Sequence, residues 1–189
     1  VTATASAKPR DGIDFFPLSV DFEERLYAVG RIPGSFMRRE GRPSEKAILA
    51  SRQIDRPMRP LFPKDLRNDV SIVCTVLEND YDNAPEIAAL LGASIAVSIS
   101  DIPFDYVIGG CELGIVDGEV VINPTLEQRK VSEMSVTLCA SAEKIVMIEA
   151  GANEVPEDQM FDALMKGHEE IKKVVEFIAG IKAEIGKPK

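Results

Sequence analysis

Residues 34–44 read Gly-Ser-Phe-Met-Arg-Arg-Glu-Gly-Arg-Pro-Ser. Two apolar side chains, Phe36 and Met37, stand beside three arginines, Arg38, Arg39 and Arg42, in a stretch punctuated by glycine and proline. Two readings fit this arrangement. Either Phe36 tucks into the domain as an anchor, or it stacks on an unpaired base while Arg38 and Arg39 hold the flanking phosphates. A guanidinium offers a planar fork to phosphate and a flat face to a base. Stacking on an aromatic ring contributes about 1–3 kcal/mol per base and tolerates any sequence. On the second reading the loop takes single strands of RNA or DNA with little sequence preference.

Three further arginines follow. Arg52 and Arg56 are four apart and share one face of a predicted helix, and Arg59 stands at its exit. They are candidates for RNA contact or for contact between subunits. The charge map makes the segment conspicuous. Nine of the eleven arginines lie between Arg25 and Arg67; with Lys46 and Lys64 that window has eleven basic residues against four acids, a net +7 in a chain of net −9, which leaves −16 elsewhere. A basic segment on an acidic body suits a polyanion held at one face. Pairing of the arginines with nearby acids is the alternative.

Other chemistry is thinly represented. No phosphate-binding glycine loop, dinucleotide fingerprint or nucleophile elbow is present. Gly109-Gly110 precedes a predicted hairpin strand and is read as a turn. Cys74, Cys111 and Cys139 are scattered and odd in number, which argues against a disulfide framework and for a reducing compartment. The single histidine, His168, is expected on a helix as a surface or packing residue. Asp80 and Asp82 precede a helix, where capping explains them more simply than a metal does. A hidden acid site built from Asp80, Asp82, Asp101 or Asp105 is the least favoured reading. No apolar run is long enough to span a membrane; the longest, Ile87 to Ile99, suits a buried helix.

The elements that must position these residues are legible from pattern. Val1–Ala7 and Phe15–Glu24 read as strands flanking a turn at residues 9–12, followed by a loop from Gly30 to Pro43. Ser44 caps a helix that ends before Pro57, with Ile48, Leu49 and Ile54 toward the core, and residues 56–63 run on as an extended proline-rich segment. Val70–Leu77 is a strand, and Asn83 caps an apolar helix to Ile99. Hairpins are expected at Cys111–Ile122, around Asp117-Gly118, and at Ser135–Glu149; a long helix runs from Pro156 to Ile185. The order predicts an α+β fold, a mixed sheet with helices packed on it. Residues 1–185 read as one domain and 186–189 as the start of a linker. An opening that reads as mid-strand, without a start methionine, suggests a piece of a longer chain.

At the arginine loop a resemblance becomes specific. Residues 34–45 (GSFMRREGRPSE), followed by 54–63 (IDRPMRPLFP), closely resemble the polynucleotide phosphorylases of bacteria. The match continues in order through Pro85-Glu86-Ile87-Ala88, Gly92-Ala93-Ser94, Ser100–Phe104, Ile122–Thr125 and Gly167–Glu170. It covers essentially the whole chain and falls on the first of that family's two ribonuclease PH-like core domains, short of its N-terminal strands.

The resemblance implies an enzyme that degrades RNA from its 3′ end with inorganic phosphate as co-substrate, releasing nucleoside diphosphates. It also implies a magnesium ion (Mg2+), a homotrimeric ring around a channel, single-stranded RNA as partner, partners in RNA-degradation complexes, and a cytoplasmic setting without a membrane. The family's channel loop falls on Phe36, Met37, Arg38 and Arg39, and Met37 stands where Phe is usual. The phosphorolytic site is expected in the other core domain. Where that half carries its serine-rich phosphate turn, this chain reads Asp82-Asn83-Ala84-Pro85. Where that half carries aspartates, this chain aligns Pro124 and Lys130. The domain is therefore expected to grip RNA and build the ring. A purely structural role in trimer assembly is the alternative.

Overall fold

Leu18, Val20 and Phe22 alternate with Ser19, Asp21 and Glu23, so one face of this segment seeks cover. The computed structural model, which describes residues 1–34 and 36–189, makes it a strand buried on the Phe22 side. The first strand, β1 (Thr2–Pro9), and this one, β2 (Leu18–Glu24), do not pair with each other. A third, β3 (Asn68–Val76), inserts between them, antiparallel to β1 and parallel to β2. A parallel pair cannot be joined by a tight turn and needs a long crossover. That crossover carries the arginine loop and the helix α1 (Glu45–Met58).

Ser44 caps α1 as its sequence predicts, accepting the Ala47 N–H at 3.1 Å. The core-facing stripe is Ala47, Ala50, Ile54 and Met58, so small residues set a close approach to β2. Ser51 Oγ accepts the Phe22 N–H at 3.0 Å and ties the two elements together. Ile48 and Leu49 are exposed, contrary to expectation, because the core stripe lies on the other side of the helix. The helix also runs through Pro57 to Met58 and passes into a 3-10 turn, Arg59–Leu61, where an extended segment is expected. Proline this close to a helix end forfeits a single backbone hydrogen bond, and its ring is buried.

Helix α2 (Pro85–Ile99) is the central helix, with only Ala88 exposed along it. Its N-cap is Ala84, which offers no side-chain bond; Asn83 instead donates to Asp80 at 2.9 Å. A second, fully antiparallel sheet has the order β5-β4-β6-β7: β4 (Gly109–Val116), β5 (Glu119–Ile122), β6 (Met134–Ala140) and β7 (Ile145–Ala152). The described residues thus form two sheets, the first mixed and the second antiparallel. Gly110 is a strand residue rather than part of a turn. A Cβ there would meet Leu90 of α2 at 2.5 Å, so the glycine permits the helix to lie on the sheet. A short helix, α3 (Leu126–Val131), is closed by a capping box in which Thr125 and Gln128 satisfy each other's N–H.

Helix α4 (Glu157–Ile185) covers β4 and β6, with Ala163, Ile171 and Val175 in the apolar cluster there. His168 is buried on it and its Nε2 lies 3.0 Å from the Ser141 carbonyl, a packing role. One apolar cluster gathers Phe22, Ile54, Met58, Ile72, Leu90 and Phe104 around α2; a second gathers Leu113, Val136, Leu138 and Ile171 under α4. Cys74, Cys111 and Cys139 are free and buried, and burial pushes their thiols up to about 11, 12 and 12. Residues 186–189 lie against the fold: Lys187 N–H donates to the Ile99 carbonyl at 3.0 Å, and the Lys189 ammonium sits near the Phe104 ring and carbonyl. No described helix is long and apolar enough to cross a membrane.

Candidate nucleic-acid interface

The arginine loop is fastened at both ends. On entry, the 3-10 turn Leu26–Val29 closes at Gly30, which adopts the left-handed conformation (φ 69°), and Arg31 N–H donates to the Leu26 carbonyl at 2.9 Å. On return, Glu40 reaches back to the same turn. Its carboxylate accepts the Leu26 N–H at 2.6 Å and Arg25 Nη1 at 3.0 Å. Arg25 Nη2 donates to Glu23 at 2.7 Å, which anchors the latch on β2. The Leu26 N–H first, and Arg25 second, hold the Glu40 carboxyl below the usual glutamate range. Glu40 and then Glu23 raise the Arg25 guanidinium in turn. Four residues beyond Glu40, Ser44 starts α1.

Between these fastenings the loop presents its tip to solvent. Phe36 is 99% exposed and Met37 65% exposed, so the anchor reading of Phe36 is overturned: no apolar surface among the described residues covers the ring. Arg38 is exposed and holds a left-handed backbone (φ 51°), an uncommon conformation for a residue with a Cβ. The side chains of Arg31, Arg38 and Arg42 make no hydrogen bond or ion pair among the described residues, whereas Arg39 has a partner. A hollow of about 430 Å³ lies beneath the loop, lined by Arg25, Arg39 and Arg42 together with Glu23, Glu24 and Glu40. Arg31 is a loop arginine that motif reading passed over; its place between Gly30 and Pro33 in the same basic window was the available signal. Ser35 lies outside the described residues.

The three arginines further on divide. Arg52 is exposed and has no partner among the described residues. Arg56 faces Glu149 at 3.4 Å, with both side chains about half exposed, a pair of little energetic weight. These two share the outer stripe of α1 with exposed Ile48 and Leu49. Arg59 is different. It grips Asp55 at 2.7 and 2.9 Å and donates to the carbonyls of Phe16 and Leu18 at 3.0 and 3.1 Å. Its fork holds the start of β2 to α1, and 41% of the side chain remains exposed.

A second region has the shape of a site but different electrostatics. A cleft of about 660 Å³ lies at the N-terminus of α2, between α1 and the second sheet. Each charge in it is answered. Lys46 meets Glu86 at 3.1 Å and Glu24 at 3.7 Å; burial would lower its pKa, but the two acids outweigh that and raise it. Glu112 meets Arg129 at 3.3 Å; burial pushes its carboxyl up while Arg129 opposes. Arg129 also donates to the Tyr81 and Asp82 carbonyls at 2.9 and 3.1 Å and so pins the turn before α2.

This cleft fits neither phosphate nor a divalent metal. Pro85 removes a donor from the helix start, Ala84 adds none, and Glu86 places an acid where an anion would bind. Its acids are paired to cations, and Lys130 on α3 is bonded to Glu127 at 2.6 Å. No group of three or more His, Cys, Asp or Glu among the described residues is placed to hold a metal. Asp80 accepts the Asp82 and Asn83 N–H groups, each at 3.0 Å; the Asn83 bonds hold its carboxyl below the usual range. Asp101 and Asp105 lie beyond the far end of α2, about 22 Å away for its 15 residues. The four aspartates do not converge.

Comparison with known proteins decides the family. Residues 1–103 match the family model for domain 1 of the 3′ exoribonuclease family, and residues 106–170 match that for its domain 2. The chain belongs to the 3′ exoribonuclease family. Curated relatives named polyribonucleotide nucleotidyltransferase align along its whole length. Those of Ruminiclostridium cellulolyticum, Clostridioides difficile and Caldicellulosiruptor saccharolyticus are 70%, 61% and 60% identical. The chain spans 27% of the length of each of these relatives. A crystal structure of rice (Oryza sativa) Rrp46 superposes with a TM-score of 0.74 at 14% identity, covering 95% of this chain and 82% of that one. It establishes the same ribonuclease PH-like α+β fold in this member of the exoribonuclease family.

Proposed function

We propose that this chain is the RNA-gripping, ring-building core of a longer polyribonucleotide nucleotidyltransferase, a phosphorolytic 3′-to-5′ exoribonuclease. The parent enzyme degrades single-stranded RNA with inorganic phosphate. A phosphate oxygen attacks the terminal phosphodiester, the 3′ oxygen of the penultimate nucleotide leaves, and a nucleoside diphosphate is released. The observation that carries the reading is the fully exposed Phe36 on a fastened basic loop beside Arg38. Phe36 and Met37 contact bases; Arg38, Arg39 and Arg42 hold phosphates. The phosphorolytic chemistry, with its Mg2+, lies outside these residues, a reading supported by the self-paired cleft at α2.

Three copies form a homotrimer whose loops line a common channel. The enzyme works in the cytoplasm, alone or with partners of RNA degradation. A second reading, assembly without RNA contact, draws on the exposed Ile48 and Leu49 beside Arg52 and Arg56 on α1. Replacing Arg38 and Arg39 together with Ala in the full-length enzyme separates the two. An RNA grip predicts weaker binding and processivity on long RNA, roughly 25-fold in affinity at 0.1 M salt for two lost phosphate contacts, with turnover of a very short RNA nearly unchanged. Loss of the trimer by analytical ultracentrifugation, or equal loss on long and short RNA, favours assembly.

A further inference from the structure

The RNA-gripping tip contains an oxidisable thioether. Met37 is 65% exposed, next to Phe36 and Arg38. The chain has six methionines. Met58, Met134 and Met147 are buried, Met160 is half-buried, and Met165 on α4 is 41% exposed. Oxidation of methionine follows access to the sulfur, and it turns a flexible apolar side chain into a polar, chiral one. Access is therefore greatest where an apolar contact with a base is needed.

We infer that Met37 is a redox-modification site at which hydroperoxide loosens the grip of the loop on single-stranded RNA. The reaction balances simply. The thioether sulfur attacks one oxygen of hydrogen peroxide, the O–O bond breaks, sulfur is oxidised by two electrons to the sulfoxide, and the peroxide is reduced to water. Methionine sulfoxide reductase, with a thiol as reductant, reverses the step. The sulfoxide is neutral, so the arginines keep their charge. What is lost is a polarizable apolar contact with a base, which corresponds to about two- to tenfold in affinity. The dependence of binding on salt stays the same, because that slope counts phosphates rather than apolar contacts. The effect rests on the RNA-gripping reading proposed above.

The test treats the full-length protein with graded hydrogen peroxide. Site-resolved mass spectrometry follows each methionine, and binding of oligo(A) is measured over a salt series. Met37 oxidises before Met165 and the rest, the oligo(A) Kd rises two- to tenfold with an unchanged salt slope, and reductase treatment restores it. Met37→Leu, which has no thioether to oxidise, sets its own baseline affinity for RNA, and that baseline does not move with peroxide. Oxidation of other methionines ahead of Met37, or an equal peroxide response in Met37→Leu, overturns the inference. The Arg38→Ala, Arg39→Ala variant is run alongside. If it weakens binding while Met37 oxidation does not, the redox inference fails and the RNA grip stands. If neither changes binding, both fail.

Discussion

The arginine loop and the cleft at the N-terminus of α2 are built from similar residues to opposite ends. Both bring arginine or lysine near glutamate. In the loop, the acids are used at the base: Glu40 and Glu23 hold Arg25 and the Leu26 turn, and Arg38 and Arg42 further out point no charge at any described acid. In the cleft, Lys46 and Arg129 are consumed by Glu86, Glu24 and Glu112. The cleft is the larger concavity, yet it has settled its electrostatics within the chain. A bound anion gains little from cations that are already paired with acids of the same chain. The loop leaves its gain to be realised by a ligand. The proposed RNA grip therefore rests on unanswered charge beside an uncovered ring and not on concavity.

Removing Arg129 makes the largest difference between the two regions. Arg129→Ala leaves Glu112 half-buried without its partner and strips two carbonyls of their donor. It lowers unfolding free energy by about 2–3 kcal/mol, read by urea denaturation, and leaves RNA affinity intact. A large fall in RNA affinity at unchanged stability would put the cleft on the RNA path and break the contrast.

Phe36→Ala is the mirror experiment. It weakens binding of single-stranded RNA by about 1–3 kcal/mol and changes stability by less than about 0.5 kcal/mol, since the ring covers nothing. Fluorescence anisotropy and a thermal melt on the same preparation read both quantities.

The smallest effect sharpens the loop itself. Glu40→Ala frees the return limb, so RNA affinity falls less than with Phe36→Ala while the arginine charge is kept. The pH dependence has a definite sign. The Glu40 carboxyl titrates below its ordinary range in the folded chain, so its contribution is complete above the unfolded glutamate value and is lost as pH falls through the lowered folded one. RNA binding by the wild type stays level down through the ordinary glutamate range and drops only beneath it. In Glu40→Ala that lower step is absent. An affinity titration against pH checks both, and a wild-type midpoint at the ordinary glutamate value would remove the latch.

Much of the fold is legible in residue pattern because its signals are local. Ser44 is followed by a helix because its hydroxyl satisfies an N–H three residues on. Asp117-Gly118 turns a hairpin because both residues adopt positive φ, 52° and 78°. The Thr125–Gln128 capping box was equally local and marks the start of α3, an element that apolar periodicity alone does not disclose in so short a helix. What pattern could not reach was pairing at a distance. Nothing in Val1–Ala7 or Phe15–Glu24 says that β3 will enter between them. Ile48 and Leu49 look like core because they are apolar and in a helix; which stripe is buried depends on what β2 and Ser51 dock against.

The same division runs through the site. The residue types of the loop, its glycines and prolines, and its excess of arginine are properties of sequence, and they already specify a cationic, aromatic segment suited to a polyanion. Whether the ring of Phe36 is available was a matter of tertiary structure, since exposure is set by whatever else packs nearby, and here no described residue does. Tertiary structure also separated the arginines. Arg59 and Arg52 are chemically identical and seven residues apart, yet Arg59 is locked by Asp55 and two carbonyls brought from β2's approach, while Arg52 faces solvent. A side chain's chemistry is carried by the chain; whether that chemistry is free to act is decided by the partners that folding brings to it.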